Sequence, residues 1–270
     1  MQLGLGSFSA TWAIGVPGHP PANPLTARGF LREAQRLGLR RVQICDNLPL
    51  IRLRSDELAA FQATAHRAGI AIELGTRGIA EDRLRSHLEL ARQLGSPLLR
   101  VVLDLGSDEP TPDEAFHRLR PLRSAFIESG ILLAIENHDR FTSGTLASLV
   151  ERLGTDWVGV CLDTVNSWGA LEGPDVVVDR LAPLTLSLHV KDFTVTRPSH
   201  QMGFLVEGCP AGRGRLQLEP ILDRLRAEGR AVNAILETWV TPGPTLEETI
   251  ARESAWTEEG VAALRRFIPE

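Results

Sequence analysis

The chain alternates from end to end between short apolar runs and longer amphipathic stretches, and this alternation limits its fold more than any other feature. The strand-like runs are QLGLGSF (2–8), RVQICDN (41–47), IAIELG (70–75), LLRVVLDL (98–105), ILLAIEN (131–137), WVGVCLD (157–163), LTLSLHV (184–190) and NAILETW (233–239). They are near-continuously apolar, the pattern of parallel strands covered on both faces. Between them lie NPLTARGFLREAQRLGL, DELAAFQATAHRAG, AEDRLRSHLELARQLG and TPDEAFHRLRPLRSAFIESG, with apolar residues three and four apart and glycine at or near the end. That spacing predicts helices with glycine stop signals. Further helices are predicted over GTLASLVERLG, 174–182, LQLEPILDRLRAEG and 244–267. Eight such units in 270 residues fit one closed (β/α)₈ barrel, a TIM barrel forming a single domain over 1–270. A doubly wound sheet alternates too, but its Gly-rich turn runs straight from strand to helix, and LGLGS does not.

Other classes are excluded by composition. A net charge of −5 leaves no basic footprint for nucleic acid. No apolar stretch reaches membrane-spanning length, and the amino terminus lacks the basic region of a signal peptide. Cys45, Cys161 and Cys209 are far apart without CxxC spacing, so neither a disulfide framework nor a zinc finger is indicated. The expectation is a cytoplasmic protein with neither nucleic-acid nor membrane partner. Residues 193–214 are the least regular stretch, with Gly203, Gly208, Gly212 and Gly214, and are expected to form a lid or substrate loop.

In such a barrel the carboxyl ends of the strands face the active-site mouth. The late strands end in AIENHD, VCLDTVN, LHVKD and ILETW, which puts Glu136, Asp163, His189 and Glu237 at four successive ends. One ionisable strand end is readily explained as a helix cap or a partner for arginine. Three carboxylates and an imidazole in succession need a counter-charge, and a divalent cation supplies it. Mn²⁺ is the first choice for this donor set, and Mg²⁺, Co²⁺ or Zn²⁺ also suit it. Strands 2 to 4 end in Asp46, Glu73 and Asp104, of which Glu73 is a candidate substrate contact.

In order and spacing these four motifs resemble the sugar isomerase/epimerase group of xylose isomerase-like barrels. That group includes ketose 3-epimerases, hydroxypyruvate isomerases and inosose dehydratases, and apurinic-site endonucleases share its fold. The resemblance covers essentially the whole chain and is strongest from 131 to 240. It implies Glu136, Asp163, His189 and Glu237 as metal ligands, with Glu136 and Glu237 also the acid/base pair. It further implies a sugar or keto-sugar substrate and leaves a homo-oligomer open. PAGRGRL (210–216) resembles the group's glycine-containing turn before the last helix. The chemistry agrees: a metal chelating a carbonyl and an adjacent hydroxyl acidifies the C–H between them and stabilises the enediolate formed. Carboxylates on either side can then move the proton. The expected activity is a metal-dependent sugar isomerase or epimerase.

One departure matters. The group's Asp-Thr-x-His reads DTVN here, so Asn166 stands where a histidine is common. Asparagine bonds a hydroxyl but carries no proton and is a poor transition-metal ligand. This lowers the standing of a free-ketohexose epimerase, and still more that of an endonuclease-like activity. His138, directly after Glu136-Asn137, is either a solvated loop residue or a second acid/base. In the latter case the enzyme is a lyase or dehydratase acting on a keto-sugar, keto-glycoside or cyclitol. A non-catalytic sugar-binding module is the third class, and the intact glutamate pair argues against it. Trp12 and Trp168, with Trp239 and Phe193, either pack the rim or form a wall against a sugar ring. Arg215, with Arg213, is a surface residue or an anion contact. Lys191 is the only lysine beside 28 arginines. It either pairs with Asp192 or a neighbouring carboxylate, or serves the site as a substrate-contacting cation that arginine cannot replace.

Overall fold

Every apolar run forms a strand of one ring in the computed structural model, which describes residues 1–229 and 232–269. The barrel strands are β1 (Leu3–Gly6), β2 (Arg41–Ile44), β3 (Ala71–Arg77), β4 (Leu98–Val102), β5 (Leu132–Glu136), β6 (Val158–Asp163), β7 (Thr185–Val190) and β10 (Asn233–Leu236). All neighbours are parallel, and β10 closes the ring between β7 and β1. The predicted (β/α)₈ barrel is therefore the observed fold.

The helices are α1 (Thr11–Ile14), α2 (Ala27–Arg36), α3 (Ser55–Ala68), α4 (Glu81–Leu94), α5 (Pro112–Leu119), α6 (Arg123–Ser129), α7 (Ser143–Leu153), α8 (Pro174–Leu181), α9 (Leu218–Ala227) and α10 (Leu246–Leu264). Thr26, Thr111, Thr142 and Thr245 cap α2, α5, α7 and α10 by accepting a backbone N–H. Gly69 and Gly95 end α3 and α4 at φ 63° and 68°, the left-handed conformation that glycine adopts without strain. The single helix expected over 111–130 is broken into α5 and α6 by a 3₁₀ turn at Arg120–Leu122. Pro121 lacks the N–H that a continuous helix needs there. Phe30, Phe61 and Phe126, on α2, α3 and α6, are fully buried with Val42, Ile72 and Leu99 of the strands. Each such ring contributes about 1.5–3 kcal/mol by leaving water.

The stretch after β7 is more ordered than its glycines suggest. It forms an antiparallel hairpin of β8 (Asp192–Thr196) and β9 (Leu205–Cys209), paired from Asp192 with Cys209 to Thr196 with Leu205. Asp192 anchors it. One carboxylate oxygen accepts the N–H groups of Phe193 and Leu216, and the other those of Gly212 and Gly214. Strand β9 is mostly exposed and β8 is buried only at its first two residues, so they carry little of the apolar pattern that marks the others.

Helix α10 is tied to α1 by a buried carboxylate. Glu253 accepts the backbone N–H groups of Trp12 and Ala13 at 3.0–3.1 Å. Burial pushes its carboxyl up to about 7, against the pull of those N–H bonds. The unfolded value is about 4.3, so the folded chain holds this proton more tightly. Its contribution is complete below the unfolded value and is lost as pH rises through 7. Glu253→Gln is expected to raise Tm at pH 8 by an amount worth about 2–4 kcal/mol and to change little at pH 4. Thermal melts at the two pH values check this, and an equal effect at both would remove the titration from the account.

Candidate active site

Four consecutive strands of the ring, β5, β6, β7 and β10, carry Glu136, Asp163, His189 and Glu237 to one part of the mouth. All four are buried. The His189 Nδ1 atom lies 3.3 Å from Glu136 Oε2, 3.7 Å from Asp163 Oδ2 and 3.5 Å from Glu237 Oε2. Its Nε2 is 2.6 Å from Gln43 Oε1. The Gln43 amide nitrogen donates to Glu73 Oε2 at 3.0 Å, which directs the carbonyl at the ring. His189 Nε2–H therefore donates to Gln43, and in the neutral ring the Nδ1 lone pair faces three carboxylates. Neither Nδ1 nor Glu237 Oε1 makes a hydrogen bond among the described residues.

Buried acceptors turned toward one another are stable only around positive charge. The ligand atoms of Asp163, His189 and Glu237 all lie within 4.8 Å of one another, so these residues fit a metal ion. Gln43 is then the outer partner that orients a metal-ligating histidine. A proton competes for the same place: burial opposes charge on the His189 ring, but the carboxylates of Glu237 and Glu136 raise its pKa well above the ordinary value. Metal binding must release that proton. Affinity is accordingly expected to fall as pH decreases, which titrations of one ion across pH 6 to 8 would measure.

Local loops hold the carboxylates in place. Asp163 Oδ1 accepts the N–H groups of Val165 and Asn166, both at 2.8 Å, which leaves Oδ2 for the site. The Asn137 side chain accepts from Asp163 N at 2.7 Å and donates to its carbonyl at 2.9 Å, fastening the tops of β5 and β6 together.

Two cations enter this cluster. Lys191 Nζ is 2.6 Å from Asp163 Oδ2 and 3.0 Å from Glu237 Oε2. Burial works against the ammonium, but Asp163, Glu237 and Glu136 hold its pKa well above the ordinary lysine range. Burial equally opposes ionised Asp163, and Lys191 and His189 hold its carboxyl below the ordinary range. The second cation is Arg100 on β4, whose Nε donates to Glu136 Oε2 and whose Nη1 lies 3.2 Å from Asp46 Oδ1. Four carboxylates thus face two cations, a shortfall that one divalent ion matches.

The remaining sequence candidates divide. Asn166 is in the cluster: Nδ2 donates to Glu136 Oε1 at 2.7 Å, and Oδ1 lies 3.4 Å from Lys191 Nζ. His138 lines a crevice with Asp104 and Glu136, its Nδ1 2.6 Å from Asp139. Trp12 donates its indole N–H to Val240 O, and Trp168 stacks edge-on against Phe193 at 5.3 Å. Arg215 is exposed on the turn before α9. Glu73 is not at the mouth. It is the third residue of a strand that continues to Arg77, and it pairs with Arg41, Gln43 and Asn233 toward the opposite end of the barrel. The run IAIELG ends too early because Thr76 and Arg77 extend the strand with polar side chains. Lys191 pairs with Asp163 and Glu237, while Asp192 serves the glycine turn.

Arg100, Gln43 and Gly6 escaped the sequence reading. The first two are polar residues inside apolar runs, LLRVVL and RVQIC, the signal that marked the strand ends. Gly6 carries no such mark. A Cβ there would lie 2.7 Å from Glu237 Cγ and 2.8 Å from its Oε1. Gly6→Ala is expected to displace Glu237 and weaken the metal by about tenfold or more, with the fold intact. Metal titration alongside circular dichroism checks both halves.

The family model for the xylose isomerase-like TIM barrel matches residues 31–267. The chain is 32% identical over 263 residues to a 3-oxo-isoapionate decarboxylase of Pectobacterium atrosepticum, covering 97% of this chain and 94% of that protein. Among solved structures, a D-psicose 3-epimerase determined in the presence of D-fructose superposes with a TM-score of 0.72 at 18% identity, covering 99% of both chains. A xylose isomerase-like TIM barrel protein of Mycobacterium smegmatis in complex with magnesium superposes with a TM-score of 0.71 at 16% identity, covering 97% of both.

Proposed function

Because the chain belongs to the xylose isomerase-like TIM barrel family, we propose that it is a divalent-metal-dependent enzyme that decarboxylates a 3-oxo sugar acid. The observation that carries this reading is the inequality of the two glutamates. Epimerisation asks one carboxylate to take a proton while another returns one. Glu136 has both oxygens engaged, one by Arg100 and the other by Asn166. Burial opposes its ionisation, but Arg100, His189 and Lys191 hold its pKa down, so it is a poor base. Loss of CO₂ needs no base. The electron pair of the breaking C–C bond passes into the neighbouring carbonyl, and one proton must then be delivered. The full-length similarity to a decarboxylase supports the same choice.

Glu136, Asp163, His189 and Glu237 would hold the ion, which supplies Lewis-acid polarisation of a carbonyl oxygen. Asp163 and Glu237 on their own keep Lys191 charged. With both carboxylates engaged by the ion they would hold its proton less tightly, and Lys191 would then give it to the carbon that CO₂ leaves and regain one from solvent. Asn166 holds a substrate hydroxyl without exchanging protons. Trp12 and Trp168 border the sugar.

A panel of 3-oxo sugar acids and neutral ketoses incubated in D₂O tests the reading. The expected result is CO₂ equimolar with a product one carbon shorter, one deuterium at its new C–H bond, and no reaction after chelation. Deuterium entering an unshortened ketose would instead establish an epimerase. Elimination assisted by His138 is the second reading, favoured by the crevice it shares with Glu136. His138→Ala is expected to cost decarboxylation less than about tenfold, whereas a true acid/base costs about 10²–10⁴-fold. The turnover of that variant decides between them.

A further inference from the structure

We infer that Arg100 receives the carboxylate of the substrate and so restricts the enzyme to acids; the inference rests on the decarboxylase reading and assigns its substrate recognition. Arg100 is the third residue of β4 and only 3% exposed. A guanidinium in a barrel interior is costly to desolvate and persists only where it is fully used. Its Nε is engaged by Glu136, and its Nη1 by Asp46 and the Thr76 carbonyl at 3.2 and 3.3 Å. Nη2 has no hydrogen-bond partner among the described residues and is not sealed from solvent. Nε and Nη1 are therefore held, and Nη2 is the amino group left for a ligand.

An anion placed there meets a donor already oriented by three contacts, which is how arginine recognises carboxylates with little loss of entropy. Lys191 is less suited to this task. Its Nζ lies between Asp163 and Glu237, on the strands across the cluster from β4. The division also suits the chemistry. A cation that gripped the departing carboxylate strongly would stabilise the ground state and slow the loss of CO₂. Arg100 shares its charge with Glu136 and Asp46, so it orients the group while holding it lightly.

Equilibrium binding to the metal-loaded protein tests the assignment with two probes that cannot decarboxylate: a 3-hydroxy sugar acid and the neutral polyol that lacks its carboxylate. Arg100→Gln is expected to weaken the acid about tenfold or more and the polyol less than about twofold. Asp46→Asn frees Nη1 and is expected to tighten the acid alone. Its side chain is one-third exposed, so this variant remains usable if Arg100→Gln fails to fold. Equal losses for both probes would reduce Arg100 to a support for Glu136, and an unchanged acid affinity in both variants would also overturn the assignment. CO₂ release by the unaltered enzyme is scored separately. Acid selectivity that depends on Arg100 without CO₂ release would keep the receptor and remove the decarboxylase, whereas CO₂ release with selectivity indifferent to Arg100 would do the reverse.

Discussion

Lys191→Met is expected to lower turnover about 10³-fold while the protein binds its divalent ion more tightly than the unaltered enzyme does. The first half follows from the proposed role, because loss of a positioned general acid costs about 10²–10⁴-fold. The second half is electrostatic. The ammonium lies 2.6 Å from Asp163 Oδ2 and 3.0 Å from Glu237 Oε2, so it competes with the ion for the same oxygens. It also repels the ion, and at an effective dielectric of about 20 two unit charges about 4 Å apart interact by about 4 kcal/mol. Relaxation and water remove part of that, and a gain of about tenfold or more in metal affinity is the conservative expectation. Isothermal titration with Mn²⁺ measures the affinity, and CO₂ release measures the rate. A lysine that merely supported the carboxylates would give weaker metal binding, since its loss would free them to move. Lys191→Arg is expected to restore the repulsion of the ion but not the turnover, because the guanidinium keeps the charge and never yields its proton.

The barrel was legible because its signal is distributed. Eight apolar runs repeat one pattern, and an error at the end of any run, such as the two residues by which β3 outlasts IAIELG, leaves the topology unchanged. The clustering of Glu136, Asp163, His189 and Glu237 was legible for a related reason: an ionisable residue closing an apolar strand is costly, and four in succession call for one explanation. Lys191 stood out through composition alone. Arg100 obeys the same rule as the strand ends but sits in mid-strand, and it is the pairing of β4 with β5 that brings it to Glu136. Gln43 meets His189 across 146 positions of sequence. Gly6 matters only through the side chain it makes room for. Contacts of this kind arise from ring closure, and no local pattern encodes them. The hairpin β8–β9 was missed for the opposite reason, since it buries too little for hydrophobic periodicity to appear.

Asp163→Asn is expected to produce the largest loss of stability in the chelated protein together with a metal affinity lower by about 100-fold or more. The substitution keeps the size of the side chain, and Asn Oδ1 can still accept the N–H groups of Val165 and Asn166 that Asp163 accepts now. The change falls on the other atom. An amide nitrogen replaces Oδ2, so a donor confronts the Lys191 ammonium where a carboxylate stood at 2.6 Å. Breaking a buried ion pair from one side costs about 3–5 kcal/mol, because the surviving charge stays buried. Glu237 remains 3.0 Å from Lys191 and offsets part of that, which puts the expected cost near 2–4 kcal/mol. The pH dependence has a definite sign. The Asp163 pKa is depressed on folding, so its contribution is present above the unfolded value of about 3.9 and is lost as pH falls below it. The variant should therefore lack part of the acid limb of the unaltered protein's stability curve. Combining Asp163→Asn with Lys191→Met isolates the pair. If the ammonium–carboxylate contact is the source of the loss, the double variant is more stable than the sum of the single effects predicts by about 1–3 kcal/mol. Strict additivity in urea unfolding of the chelated proteins would place the loss in the β6 loop instead.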